Sequence, residues 1–309
     1  MAYKILFMGT PDFAVPILKS INDSNHKVLE VYTQPPQKKN RGQKLSLSPI
    51  HLYSNKLNIK VRNPSSLDSK EELEHIQKLN PDIVIVVAYG KILPTSFLDL
   101  QNIKFINIHA SLLPKWRGAA PIQRAIMNRD KETGVSIMKI VSKLDAGPVL
   151  IKSKLKIFKE TNFRQLSEQM SNLGATLILE AMELIKKKKA VFINQIENEA
   201  TYAKKINKLE AKINWNDKAK EVIAKINALH PNPGSWFKLL GSRIKVIKAN
   251  EIKINGKPGE IIDNDFTVAC SENAVQILEL QKEGKQIMNA REYLKGNKLE
   301  IGSNLIKDV

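Results

Sequence analysis

The sequence predicts an α/β fold: an open, mostly parallel sheet with helices on both faces, followed by a smaller all-β domain. Three observations predict it. Strand-like and helix-like segments alternate along residues 1–189, as in sheets built from crossover units. Residues 83–87 read Ile-Val-Ile-Val-Val, an unbroken apolar run that suits a strand covered on both faces. Beyond residue 208 the pattern changes to short strand-like runs divided by turn residues.

Residues 5–8 predict a buried strand that ends at Gly9, and residues 14–21 a helix capped by Asp12. A second strand is expected at 28–32 and a charged amphipathic helix at 69–79. After the 83–87 strand, residues 104–108 alternate β-favouring apolar residues with polar ones, and 135–141 predict a further strand. Gly118 permits a tight turn into a helix over 120–128. A long helix is expected over 161–189, where the closing run Lys186-Lys187-Lys188-Lys189 suits the negative end of the helix dipole. Residues 190–207 read as a linker. A helix over 219–229 stops before Pro231 and Pro233. Short strands are then expected at 235–240, 244–249, 259–262, 266–269 and 275–280, separated by Gly241-Ser242, Asn255-Gly256 and Asp263-Asn264-Asp265. The first pattern is Rossmann-like; the second suits a small OB-like β-barrel. The expected organisation is a domain at 1–189, a linker at 190–207 and an OB-like domain at 208–309.

Composition narrows the function. The chain has 309 residues, 42% of them apolar, which is ordinary for a globular protein with room for two domains. Its one cysteine, Cys270, rules out an internal disulfide and reads as a small buried residue in a strand. No apolar run is long enough to span a membrane, and Met1-Ala2-Tyr3-Lys4 leads straight into a strand without a visible targeting signal. A cytoplasmic location is the expectation. The net charge is +18, from 49 basic and 31 acidic residues, which suggests a polyanionic partner. Residues 1–189 hold 30 basic and 16 acidic residues, and residues 204–309 hold 19 and 13. A partner touching both parts fits this spread. No G-x-G-x-x-G follows the first strand and no G-x-x-x-x-G-K-[ST] occurs, which disfavours dinucleotide and nucleoside-triphosphate chemistry. His26, His51, His75 and His230 show no metal-ligand spacing. They read as surface or structural residues, and no metal is expected.

Asn107 and His109 are candidates for the chemistry; taken alone, such a pair at a strand end also suits a hydrogen-bonded structural role. On a strand, residues two apart face the same way, so an amide and an imidazole sit side by side where the strand gives way to a loop. Such a pair binds a carbonyl oxygen and moves a proton, as acyl transfer requires. In open α/β sheets the ligand lies beyond the carboxyl ends of the strands. Gly9-Thr10-Pro11, Ala88-Tyr89-Gly90, Asn107, His109 and Asp145 all fall at or just after predicted strand ends. Asp145, before Ala146-Gly147, also suits a plain turn. Val86, Val87, Tyr89 and Ile92 suit either a ligand slot or ordinary core. Residues 37–45 carry four positive charges and no acid.

Three stretches occur in order: His109-Ala110-Ser111-Leu112-Leu113-Pro114, Arg117-Gly118-Ala119-Ala120-Pro121-Ile122-Gln123, and Leu144-Asp145-Ala146-Gly147. This set resembles the folate-dependent formyltransferase family. The continuous form from His109 to Ile126 is similar to the branch that acts on methionyl-tRNA. The resemblance runs from Gly9-Thr10-Pro11-Asp12-Phe13-Ala14 to the basic C-terminal part. It implies a catalytic triad of Asn107, His109 and Asp145, and a folate-contact loop of Ser111, Leu112, Leu113 and Pro114. It further implies 10-formyltetrahydrofolate as formyl donor and initiator methionyl-tRNA as acceptor, bound partly by a basic loop containing Lys38, Lys39, Arg41 and Lys44. The chain departs from the family at Pro35-Pro36-Gln37, where Pro-Asp-Arg is common, which touches position 37 and not Arg41. The resemblance implies a monomer. The alternatives are formyl transfer to an amino-sugar or glycinamide nucleotide, and a non-catalytic RNA-binding protein. The intact triad argues against the last.

Overall fold

The structure, a computed structural model, describes residues 2–39 and 44–306. Its elements run in chain order: β1 Lys4–Gly9, α1 Val15–Asn22, β2 Lys27–Tyr32, β3 Gln37–Lys39, β4 Lys44–Ser46, α2 Pro49–Lys56, β5 Val61–Arg62, α3 Lys70–Leu79, β6 Ile83–Val87, α4 Thr95–Leu98, β7 Lys104–His109, β8 Arg117–Gly118, α5 Pro121–Met127, β9 Glu132–Lys139, β10 Val149–Lys156, α6 Phe163–Lys186, β11 Tyr202–Ala203, α7 Ala219–Leu229, β12 Trp236–Leu239, β13 Ser242–Ile252, β14 Thr267–Ala269, β15 Ala274–Lys282, β16 Met288–Asn289 and α8 Ala290–Gly296. Residues group into two compact units: 1–121 with 132–155 and 167–203, and 122–131 with 156–166 and 204–309.

The first unit is built on a sheet of order β10-β9-β7-β6-β1-β2-β5. The β7-β6-β1-β2-β5 pairings are parallel, and β9 runs antiparallel to β7. All five residues of β6 are buried, which is why its sequence shows no alternation. The chain leaves β1 toward β2 and β5, then returns to the other side of β1 for β6 and β7. That reversal opens a crevice at the carboxyl ends of β1, β6 and β7. The expected Asp12 cap is not formed: Asp12 lies inside a 3-10 turn, Asp12–Ala14, and no side chain caps α1. Ser69 does cap α3, its hydroxyl accepting from Glu72 N at 3.2 Å.

The long helix α6 buries Met170, Leu177, Ile178, Ala181 and Met182 at helical spacing. Gly174 is what lets it lie against β7. A Cβ there would sit 3.1 Å from the Ile108 side chain and 3.3 Å from Ile17. Ile108 is the residue between Asn107 and His109, so this contact fixes the height of the strand that carries them.

The second unit holds an antiparallel sheet of order β12-β13-β15-β14, with β16 paired to β15, consistent with a small barrel. Its core includes Trp215, Val222, Phe237, Phe266, Val268, Ile277 and Tyr293. Phe237 meets Phe266 edge-on, with ring centroids 6.1 Å apart. The strand expected at 259–262 is reduced to isolated bridges of Glu260 and Ile261, because Gly259 has φ +83° and turns the chain away. Cys270 is buried as expected but lies just past the end of β14 and not in a strand, and burial pushes its thiol up to about 12. Among the described residues no helix is long and apolar enough to cross a membrane.

Candidate active site

Asn107 and His109 stand at the end of β7, and a loop after β9 carries Asp145 to them. Asn107 Nδ2 lies 3.5 Å from Asp145 Oδ1, and His109 Nδ1 lies 3.7 Å from Asp145 Oδ2. Neither is a strong hydrogen bond; both are close enough for charge to act between the groups. The firm bond to the carboxylate comes from Gly118 N, which donates to Oδ2 at 2.8 Å. The three expected triad side chains therefore converge.

The partner of His109 Nε2 is the Trp116 carbonyl, at 2.9 Å. A carbonyl only accepts, so Nε2 carries the hydrogen. Nδ1 is left facing the carboxylate, in position to receive a proton. His109 is buried and Asp145 half-buried, which keeps bulk water from screening the pair. Asn107 has two amide hydrogens. One leans toward Asp145, and the second can donate elsewhere.

Local backbone conformation serves this arrangement. Asp145 has φ +45° and Trp116 has φ +61°, conformations non-glycine residues adopt sparingly. Gly147, two residues beyond Asp145, approaches β9 so closely that a Cβ would sit 1.8 Å from the Lys139 carbonyl oxygen.

The loop Ser111 to Pro114 alternates in and out. Ser111 and Leu113 are buried, while Leu112 and Pro114 are half-buried. The Ser111 hydroxyl donates to the Lys115 carbonyl, and Leu113 N donates to Ser136 Oγ at 3.1 Å. Leu112 and Pro114 thus keep part of their apolar surface exposed in the loop that follows Asn107 and His109, a fit for a flat ligand with an apolar face. Val86, Val87 and Tyr89 prove to be core, whereas Ile92 is 83% exposed. The Tyr89 carbonyl accepts from Thr10 Oγ1 at 2.9 Å and Gln34 Nε2 at 3.1 Å, tying the ends of β1, β2 and β6 together. Lys38, Lys39 and Lys44 fall on the β3–β4 hairpin. Arg41 lies outside the described residues. Among the described residues no cluster of three His, Cys, Asp or Glu is arranged to hold a metal.

Sequence reasoning missed four residues. Arg117 is buried, with Nε on Gln195 Oε1 and Nη1 on Glu197 Oε2, both at 3.0 Å. Gln195 Nε2 donates to the carbonyls of Asp145 and Gly147 at 2.8 and 2.7 Å. Thr201 Oγ1 accepts from Trp116 N at 2.9 Å. Glu197 also takes Lys143, and that bond together with the one from Arg117 holds its carboxyl below the usual range. Arg117 stood in the recognised motif without a role. The other three sit in a stretch with no periodicity to mark them.

A model described as formyl transferase matches residues 3–182, and one described as the formyl transferase C-terminal domain matches 205–298. The chain belongs to the formyl transferase family. The methionyl-tRNA formyltransferase of Pelagibacter ubique (strain HTCC1062) is 48% identical over 307 residues, covering 99% of each chain. Among solved folds in the formyl transferase family, WlaRD, a sugar 3N-formyl transferase crystallised with dTDP and 5-N-formyl-THF, matches with TM-score 0.66 and 20% identity over 93% of this chain and all of its own. HypX from Aquifex aeolicus, in complex with tetrahydrofolic acid, matches with TM-score 0.67 and 18% identity over 95% of this chain. This chain spans about half the length of HypX, 47%. At such identities the likeness is one of fold.

Proposed function

We propose that this protein transfers the formyl group of 10-formyltetrahydrofolate to the amino group of methionyl initiator tRNA, giving N-formylmethionyl-tRNA. The observation that carries the chemistry is the meeting of Asn107, His109 and Asp145 at the carboxyl end of β7. The near full-length match to a methionyl-tRNA formyltransferase supports the acceptor. In this reading residues 1–189 carry the chemistry, 190–207 link, and 208–309 form an OB-like part that holds tRNA. The protein acts as a cytoplasmic monomer and needs no metal.

The reaction follows from the geometry. The methionine amine attacks the formyl carbon, and negative charge builds on the formyl oxygen. Asn107 Nδ2 donates to that oxygen, a contact typically worth about 3 kcal/mol at the transition state. His109 Nδ1 takes the proton from the attacking nitrogen, and the Asp145 carboxylate stabilises the resulting imidazolium. As the new C–N bond persists and the bond to the donor nitrogen breaks, His109 returns the proton to the leaving nitrogen. Leu112 and Pro114, with Ser111 and Leu113 holding the loop from within, form the contact surface for the folate. Lys38, Lys39, Arg41 and Lys44 attract the phosphates of the acceptor end.

The test supplies 10-formyltetrahydrofolate with methionyl initiator tRNA and, separately, with an amino-sugar nucleotide or a glycinamide nucleotide. N-formylmethionine released from tRNA is the expected product. Formylation of a small acceptor alone, or of none, sinks the reading.

A further inference from the structure

We infer that residues 193–203, which neither family model covers, form a strap that sets the catalytic geometry, with Gln195 positioning Asp145 and Thr201 positioning His109. The strap begins where Ile193 and Val149 exchange backbone bonds of 2.9 and 2.8 Å. It ends where Tyr202 and Ala203 pair in parallel with Arg117 and Gly118.

Between these anchors it grips both sides of the site. Gln195 Nε2 bonds the carbonyls of Asp145 and Gly147, closing the turn that holds Asp145 at positive φ. The orientation of the Gln195 amide is not arbitrary. Arg117 Nε only donates, so it selects Oε1, and the two carbonyls only accept, so they select Nε2. Arg117 is itself fixed, because its side chain is fully buried and bound to Glu197 on the same strap.

Thr201 grips the other side. Its hydroxyl accepts from Trp116 N, its carbonyl accepts from Arg117 N at 2.8 Å, and its amide donates to Pro114 O at 3.3 Å. The Trp116 carbonyl is the partner of His109 Nε2. The strap therefore determines where that carbonyl stands and, through it, which His109 nitrogen faces Asp145. Gly118 N, on the segment Thr201 holds, completes the circuit by donating to Asp145 Oδ2.

The inference rests on the proposed reaction, and its test separates the two. Four variants are compared with wild type for kcat, both KM values and melting temperature: Gln195→Ala, Gln195→Glu, Thr201→Val and Thr201→Ser. A displacement of about 1 Å in a catalytic group costs on the order of 100-fold in rate. Gln195→Ala, Gln195→Glu and Thr201→Val are expected to lower kcat by roughly 10- to 100-fold per folded molecule, with KM values within about twofold. Gln195→Glu keeps an acceptor for Arg117 but loses both donors. Thr201→Ser keeps the hydroxyl and should restore kcat to near wild type. A purely structural strap would lower the melting temperature and leave kcat per folded molecule unchanged, and that result overturns the inference. So does a Thr201→Ser variant as impaired as Thr201→Val. Should Gln195→Ala not fold, the Thr201 pair and Gln195→Glu decide. Wild-type protein that forms no formylmethionyl-tRNA defeats the proposed function; active wild type with unimpaired variants defeats only the strap.

Discussion

In the proposed reaction Asn107, His109 and Asp145 divide the work by chemistry. An amide donates without ever becoming charged, an imidazole passes a proton, and a carboxylate compensates the charge this creates. Removal of the Asn107 donor by Asn107→Ala should cost on the order of 100- to 1,000-fold in kcat while tRNA binding persists. His109→Ala should also abolish turnover, and filter binding of labelled tRNA checks that the complex still forms. Either variant with wild-type turnover removes the pair from the mechanism. Gly147 has an equally definite role: any side chain there meets the Lys139 carbonyl at 1.8 Å. Gly147→Ala should displace the Asp145 turn, and activity per folded molecule should fall with it.

At the scale of elements, two packing devices hold the sheet that carries the site. The first is the close approach of α6 to β7 at Gly174. Gly174→Leu should lift the helix and cost about 1–3 kcal/mol, read as a lower denaturant midpoint. The second pins α3 to the far edge of the sheet. Arg62 binds the buried Glu72 through Nε at 3.1 Å and Nη2 at 2.7 Å, and Tyr32 Oη donates to the same carboxylate at 2.8 Å. Burial alone would raise the Glu72 carboxyl, but the Arg62 and Tyr32 bonds outweigh it and leave it lowered. A folded value below the unfolded one means that the contribution is fully present above the ordinary glutamate value, about 4.3. It is lost as pH falls through the lower folded value. Urea midpoints measured from neutral pH downward should show this acid-side loss, and Glu72→Gln should flatten it. Arg62→Ala should cost about 3 kcal/mol at neutral pH, because it strands a buried carboxylate.

Across the whole molecule, charge is the dominant property. The +18 excess is spread over both the N-terminal and the C-terminal residues, so tRNA affinity should fall steeply with salt. Each neutralised phosphate contributes roughly −0.7 to −0.9 to the slope of log affinity against log salt. A titration with no salt dependence would remove the electrostatic argument. Arg41→Ala should weaken productive use of tRNA and leave folate binding intact; equal loss of both would place Arg41 elsewhere in the mechanism.

Sequence alone determined the elements with a clear hydrophobic pattern and the residues that share a strand face. The 83–87 run declared a strand buried on both faces, and β6 has those bounds. Asn107 and His109 were bound to share a face because strand side chains repeat every second residue. The edge strand β10 was not anticipated. Reduction of 259–262 to bridges was equally hidden, since it depends on the backbone angle at Gly259. Only tertiary structure decided which nitrogen of His109 faces Asp145, that Ile92 is exposed, and that a polar stretch returns to grip the site. Gln195 lies 50 positions from Asp145, and Thr201 lies 85 from Trp116. Bonds over such separations are made by directional polar groups after the chain has folded, and they leave no repeat in the sequence for periodicity to reveal.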